Sequence, residues 1–174
     1  VGGINFEKHP GFSPVYWGLR AENHRGHQSH GFLTYNEGKF YTYKNLDLVP
    51  KLKTSAIQEW FGRLPGAVGL GNVRYTTSGK CDDQSIVSGT QPLTAEADGI
   101  KIAVSFNGNI VNTQQLKQEL MAHFPDFVCG CDSDLVANKL LVELKQGKDF
   151  SSAVKTVMLG LDGAFSVAGI KGDG

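Results

Sequence analysis

One stretch of the sequence, residues 100–112 (IKIAVSFNGNIVN), constrains the fold more than any other. Its apolar side chains alternate with small or polar ones up to Phe106, which is the period-2 pattern of a strand with one buried face. Asn107-Gly108-Asn109 follows directly and is typical of a tight hairpin turn, because both residue types accept positive φ values. The same residues could instead form an oxyanion site, since glycine exposes its backbone N–H and asparagine adds a neutral donor. Taken alone, the three residues favour the hairpin.

Further turn and capping signals divide the rest of the chain into strands and helices. Ser13, followed by a proline, predicts the N-cap of a helix. Asn36-Glu37-Gly38 predicts the turn of a hairpin between two alternating stretches. Asn112 and Asp132 each precede an amphipathic stretch and are predicted N-caps. Hairpins and amphipathic helices in this order predict an α+β fold with helices packed on sheets.

Length and charge exclude several classes of protein. The chain carries 17 basic and 17 acidic side chains, and such a neutral chain without a basic stripe gives no support to nucleic-acid binding. No apolar run approaches the ~20 residues that cross a bilayer, so we expect no membrane partner and a cytoplasmic location. We expect one domain over residues 1–174 that is part of a larger protein or complex, because residues 171–174 directly follow a predicted strand.

The cysteines do not indicate a disulfide framework or a metal site. Cys81, Cys129 and Cys131 are few and odd in number, which fits a reducing compartment. Cys129 and Cys131 form a C-x-C pair, whereas a structural zinc takes about four ligands. We therefore predict no metal at these residues.

Two other motifs are weighed and set aside. His24, His27 and His30 recur every three residues, but Gly26 breaks the helix that would align them, so no metal and no cofactor are predicted. Residues 82–90 (DDQSIVSGT) are similar to the phosphoribosyl pyrophosphate loop of phosphoribosyltransferases. That loop needs an apolar strand before it and a helix N-terminus after it, and this sequence provides neither. A lid over a substrate pocket is the preferred interpretation of this loop.

Seven segments together resemble one family. They are VGGI from Val1, YWGLRAENHRGHQSHG from Tyr16, VGLGNVRYTTSG from Val68, TQPL from Thr90, SFNGNIVN from Ser105, CDSDLV from Cys131 and LDGAFSV from Leu161. Nearly the whole chain thus resembles the glutamine amidotransferase domain of the N-terminal nucleophile hydrolases. The branch it resembles is that of the amidophosphoribosyltransferases, which open purine biosynthesis. Tyr75 after Arg74, where the glucosamine-6-phosphate synthase branch has Trp, favours this branch. The resemblance implies an α+β fold, a four-layer αββα sandwich.

The resemblance also implies a pocket for L-glutamine. Arg74 corresponds to the arginine that binds the α-carboxylate of glutamine, a role that suits its planar fork of donors. Tyr75 and Thr77 would line the same pocket, and Asp132 would bind the α-ammonium group. Arg25 lies in the HRG segment that packs close to the nucleophile in the family. Without the resemblance, Arg74 and Asp132 would be taken for a solvated charge and a helix cap.

The family's catalytic residues are matched in part. Asn107 and Gly108 correspond to the oxyanion pair, which reverses the preference for a hairpin. The family's nucleophile is an N-terminal cysteine whose α-amine, titrating near pH 8, acts as the general base. The chain begins with Val1, and alignment of Gly3-Ile4 with the family's first strand places Cys-Gly immediately upstream of Val1. Either these residues precede Val1 in the protein, or the domain has lost its nucleophile. The intact pocket favours the first.

The predicted function is hydrolysis of L-glutamine to glutamate and ammonia. The ammonia would pass to an acceptor domain or subunit, here one similar to a phosphoribosyltransferase. A catalytically silent glutamine-binding or scaffold domain of the same fold is the alternative. A third hypothesis, an N-terminal nucleophile hydrolase acting on another amide, is disfavoured by the pair Arg74 and Asp132. The oligomeric state, including a homo-oligomer, stays open.

Overall fold

The computed structural model describes residues 2–4, 10–26, 28–74 and 89–172, without the side chains of residues 2–4, Arg25 and Thr54. The chain divides into two compact units, Val1–Pro92 and Leu93–Gly174. Each unit has its own antiparallel sheet and its own apolar core. Helices packed on antiparallel sheets in both units confirm the α+β fold class. Among the described residues, no helix is long and apolar enough to span a membrane.

The first unit is a four-stranded sheet with helices on one face. Its strands, in the spatial order β1-β4-β2-β3, are β1 (Gly2–Ile4), β2 (Ser29–Asn36), β3 (Lys39–Leu46) and β4 (Val68–Arg74). The helices in the described part of this unit are α1 (Phe12–Ala21), a 3-10 helix (Asn23–Arg25) and α2 (Thr54–Arg63). The predicted hairpin is confirmed: Asn36 pairs with Lys39 across Glu37-Gly38, whose φ values are 46° and 76°.

Helix α1 lies directly on β4 because the strand has glycines where the helix approaches. A Cβ on Gly71 would lie 2.6 Å from Val15 Cγ1, and a Cβ on Gly69 would lie 3.0 Å from Val15 Cγ2. Val15 belongs to the aromatic and aliphatic core between the helices and the sheet. The predicted N-cap Ser13 is wrong. Helix α1 begins one residue before it, after Gly11, whose N–H donates to Gly66 O at 2.7 Å.

The second unit is a three-stranded sheet with three helices in its described part. Its strands, in the order β5-β6-β7, are β5 (Leu93–Ala97), β6 (Ile100–Ile110) and β7 (Gly163–Gly172). Its helices are α3 (Thr113–Met121), α4 (Asp132–Lys145) and α5 (Phe150–Gly160). Ile102, Val104 and Phe106 of β6 enter the core of this unit, as their alternation predicted.

Strand β6 does not turn at Asn107-Gly108-Asn109. It continues to Ile110 and pairs with β7 from Lys101 onward, with Asn107 opposite Ser166 and Ile110 opposite Gly163. The hairpin interpretation is therefore wrong, and these residues form the end of a paired strand. This leaves them available for a role at the strand end.

Candidate functional site

In the second unit, Gly108 lies where β6 and β7 approach too closely for a side chain. Gly108 pairs with Phe165 and has a φ of 150°. A Cβ on Gly108 would lie 2.3 Å from Ala164 O and 2.5 Å from Phe165 Cα. Glycine is thus required both by space and by backbone conformation.

The asparagines beside Gly108 lie on the face of the sheet away from the helices of this unit. Phe106 and Ile110 belong to the core under the helices, so the residues between them at odd positions, Asn107 and Asn109, point to the other face. Both asparagines are exposed. The Asn107 amide is therefore accessible beside the Gly108 peptide, the arrangement that an oxyanion site needs.

Asp132, the first residue of α4, is attached to the same end of β6. The Ile110 N–H donates to Asp132 Oδ2 at 2.9 Å. Ile110 lies two residues beyond Gly108, which is about 6.6 Å along a strand. Asp132 Oδ1 accepts no hydrogen bond from the described residues. The unit thus attaches the Asp132 carboxylate to β6 two residues beyond Gly108.

The N-terminus of α4 explains why Asp132 can reach the strand. Cys131, not Asp132, is the N-cap, so the predicted capping role of Asp132 is wrong by one position. The Asp134 carboxylate accepts the N–H groups of Gly130 and Cys131 at 2.9 and 3.1 Å. Because Asp134 binds these donors, Asp132 is left to contact Ile110. Sequence reasoning missed Asp134, although an acidic residue in the first turn is a usual capping signal.

The two described cysteines next to this helix are poor candidates for a nucleophile. Burial raises the pKa of the Cys131 thiol, and the nearby Asp134 carboxylate raises it further. Burial likewise raises the pKa of Cys129. A protonated thiol is a weak nucleophile. Neither described cysteine is therefore suited to replace the family's N-terminal nucleophile.

In the first unit, Arg74 is the last residue of β4, where it pairs with Ser29. Gln28 N–H donates to Arg74 O at 3.1 Å, so the segment before β2 is fixed to the strand end. Paired residues of neighbouring strands share a face. The face that holds Arg74 also holds Gly31, whose added Cβ would lie 2.1 Å from Gln91 O. The segment that leads out of this unit therefore crosses the sheet face of Arg74.

The HRG segment packs against the backbone of the same strand end. Arg25 ends the 3-10 helix, and a Cβ on Gly26 would lie 2.8 Å from Val73 C and 2.9 Å from Arg74 N. The backbone of Arg25 is thus held close to Arg74. Its side chain lies outside the described residues.

Strand β1 begins nearer the same end of the sheet and runs away from it. Gly2 pairs with Leu70, Gly3 with Gly69 and Ile4 with Val68, so the strand's beginning points toward the end of β4 that carries Arg74. The start of the first strand and the candidate carboxylate-binding residue therefore lie at one end of the sheet.

Several residues singled out in the sequence lie outside the described residues. They are Val1, His27, Tyr75, Thr77, Cys81 and the part of the 82–90 loop up to residue 88. Their predicted roles stay predictions. Of the other histidines, His24 Nδ1 lies 3.0 Å from Ala21 O, and His30 Nδ1 lies 2.9 Å from Asp47 O.

Comparison with known proteins assigns the chain to a family. Residues 80–173 match the family model described as a glutamine amidotransferase domain. The chain belongs to the glutamine amidotransferase domain family. Over 155 residues this glutamine amidotransferase domain is 33% identical to the amidophosphoribosyltransferase of Methanothermobacter thermautotrophicus, covering 89% of the chain and 31% of that relative. It thus spans about a third of the length of that relative.

Solved structures support the same assignment. A structure described as the allosteric regulatory enzyme of purine biosynthesis matches 98% of this glutamine amidotransferase domain and 34% of its own chain, with a TM-score of 0.77 and 25% identity. The glutamine phosphoribosylpyrophosphate amidotransferase from B. subtilis matches 89% of the chain and 31% of its own, with a TM-score of 0.68 and 25% identity. These matches confirm the predicted resemblance and the N-terminal nucleophile hydrolase type of α+β fold.

Proposed function

We propose that the chain is the part of a larger enzyme that hydrolyses L-glutamine to glutamate and ammonia. The observation that carries the proposal is the hydrogen bond from Ile110 to Asp132, two residues beyond Gly108. It supports a role for the Asp132 carboxylate in binding an α-ammonium group near the strand end where Asn107 and Gly108 would stabilise an oxyanion. The chain belongs to the glutamine amidotransferase domain family. Hydrolysis of glutamine requires a group that binds its α-ammonium group and donors that stabilise the oxyanion.

In this proposal both ends of the amino acid are bound by charged residues. Arg74 binds the α-carboxylate through two donors of its guanidinium, and Asp132 binds the α-ammonium group with the oxygen that Ile110 does not use. Tyr75, Thr77 and Arg25 complete the pocket, as the family resemblance implies. We propose that residues 1–174 form one glutamine amidotransferase domain.

The chemical step requires the family's N-terminal cysteine. Its α-amine takes the thiol proton, the thiolate attacks the side-chain amide of glutamine, and Asn107 and Gly108 stabilise the oxyanion. Ammonia leaves, and water then releases glutamate from the thioester.

The acceptor of the ammonia is a phosphoribosyltransferase-like domain or subunit. This rests on the name of the relatives and on their length, of which the chain spans about a third. We propose a cytoplasmic site of action, because the odd, small number of cysteines fits a reducing compartment.

Three versions of the protein test the proposal. One begins with Cys-Gly ahead of Val1 once the initiator methionine is removed, the second has Ser-Gly there, and the third begins at Val1. We expect all three to bind L-glutamine and only the first to release glutamate, measured with glutamate dehydrogenase. Binding without glutamate release by the Cys-Gly version would favour the catalytically silent domain. Absence of glutamine binding in all three would contradict both functions.

A further inference from the structure

The guanidinium of Arg74 lies across the backbone of Gly89. A Cβ built on Gly89 would lie 2.3 Å from Arg74 Nη1, 3.1 Å from Cζ and 3.2 Å from Nη2. Three atoms of one planar group are therefore within contact distance of the missing side chain. The end of the Arg74 side chain occupies the volume that any residue other than glycine would fill.

The glycine is not explained by its own backbone conformation. The glycines with positive φ in the described residues are Gly38, Gly66, Gly99, Gly108, Gly147 and Gly163, and Gly89 is not among them. An alanine at this position therefore meets no left-handed strain. The three nearest atoms all belong to the mobile end of an arginine side chain, so the guanidinium, and not the main chain, would move to relieve the clash.

We propose that Gly89 is a specificity-determining residue for the α-carboxylate of the substrate. Because Gly89 has no side chain, the Arg74 guanidinium can occupy the space beside it, and this space sets the orientation of the guanidinium. The inference rests on the proposed function, because it assigns to Gly89 the geometry of the group that binds glutamine. It adds a positioning residue in the chain segment that enters β5, outside the residues that contact the ligand.

The size of the displacement follows from the distances. Ordinary van der Waals contact begins at 3.4 Å, so the 2.3 Å separation from Nη1 must grow by about 1.1 Å. A binding group must be held within about 0.5 Å to keep its geometry. A hydrogen bond to a charged group contributes about 1.5–3 kcal/mol, so loss of the fork geometry weakens binding by about 10- to 100-fold.

The test is a double-mutant cycle on L-glutamine binding, measured by calorimetry on the protein that begins at Val1. Gly89→Ala is expected to weaken binding by about 10- to 100-fold in the wild-type background. In the Arg74→Lys background, which has no Nη1, Gly89→Ala is expected to change affinity by less than about twofold. Gly62→Ala is the matched control, because a Cβ there meets nothing within 4 Å. L-glutaminamide, which lacks the carboxylate, should bind wild type and Gly89→Ala equally.

A second measurement does not depend on glutamine. The NMR signal of the Arg74 Nε–H group should shift in Gly89→Ala and stay in place in Gly62→Ala. An unshifted signal, an unchanged glutamine affinity, or an equal loss in both arginine backgrounds would each overturn the role of Gly89. If Arg74→Ala weakens glutamine binding and Gly89→Ala does not, only this inference fails. If Arg74→Ala has no effect on affinity, the proposed pocket fails with it.

Discussion

Replacing Gly108 by alanine tests whether the end of β6 is built around that glycine. The added Cβ would lie 2.3 Å from Ala164 O and 2.5 Å from Phe165 Cα, at a φ of 150°. The nearest atoms belong to the backbone of β7, which cannot move without disturbing the pairing of the two strands. Overpacking of this kind costs about 1–3 kcal/mol, and the backbone conformation adds about 1–3 kcal/mol. We expect Gly108→Ala to lower the free energy of unfolding by about 2–6 kcal/mol, out of a typical total of about 5–15 kcal/mol.

Two other glycines separate these contributions. Gly99 has a φ of 78° and open space around its Cβ position, so Gly99→Ala should lower the free energy of unfolding only by the cost of the backbone conformation. Gly62 lies in α2 with open space and no positive φ, so Gly62→Ala should be neutral or stabilise by about 0.5–1 kcal/mol. Urea unfolding followed by circular dichroism measures all three. If Gly108→Ala is no more destabilising than Gly99→Ala, the close approach of β6 and β7 at this point is wrong.

Three further predictions concern single side chains. Asp132→Asn keeps an acceptor for the Ile110 N–H, so it should weaken glutamine binding in calorimetry with little loss of stability. Asp132→Ala removes that acceptor and should lower both the glutamine affinity and the free energy of unfolding. Equal stability of the two variants would contradict the hydrogen bond. Asp134→Ala removes the acceptor for two N–H groups at the start of α4 and should lower the free energy of unfolding in urea by about 0.5–2 kcal/mol; no change would refute the capping role. Burial lowers the pKa of His30 below its ordinary value of 6.5. Near this pH the unfolded chain therefore binds more protons than the folded one, so the free energy of unfolding should fall as the pH drops through about 6.5. The loss of stability between about pH 7.5 and about pH 5.5 should be smaller in His30→Asn; an equal loss would contradict the buried neutral histidine.

Local signals predicted local structure well. The hairpin of β2 and β3 follows from Asn36-Glu37-Gly38 because its partners are adjacent in sequence. Alternation predicted the buried face of β6, since alternation depends only on the period of a strand. The amphipathic stretch after Asn112 likewise predicted a helix, and Leu116 and Leu120 form the buried face of α3. The α+β class was predictable for the same reason.

Features that depend on distant partners were not predictable. Asn107-Gly108-Asn109 has the composition of a turn, but pairing with β7, more than fifty residues later, extends the strand through it. Asn112 occupies the predicted N-cap position, yet its side chain binds Gly160 O and the Asp162 N–H and does not cap α3.

The candidate site, too, could not be predicted from local sequence signals. Arg74 and Asp132 were identified by resemblance to a family, since an arginine at a strand end and an aspartate before a helix carry no functional signal of their own. The contact of Gly89 with Arg74 joins residues fifteen positions apart, and no local pattern marks it. Side-chain geometry of this kind emerges only once the strand ends are placed.

The central claim is that one glutamine is bound by Arg74 at its carboxylate and by Asp132 at its ammonium group. A crystal structure of the protein that begins at Val1, grown with L-glutamine, measures this directly, because that protein lacks the nucleophile that would consume the ligand. The account predicts the α-carboxylate within hydrogen-bond distance of the Arg74 guanidinium, the α-ammonium group on Asp132, and the side-chain amide oxygen at Asn107 and Gly108. Glutamine bound away from either charged residue would contradict it.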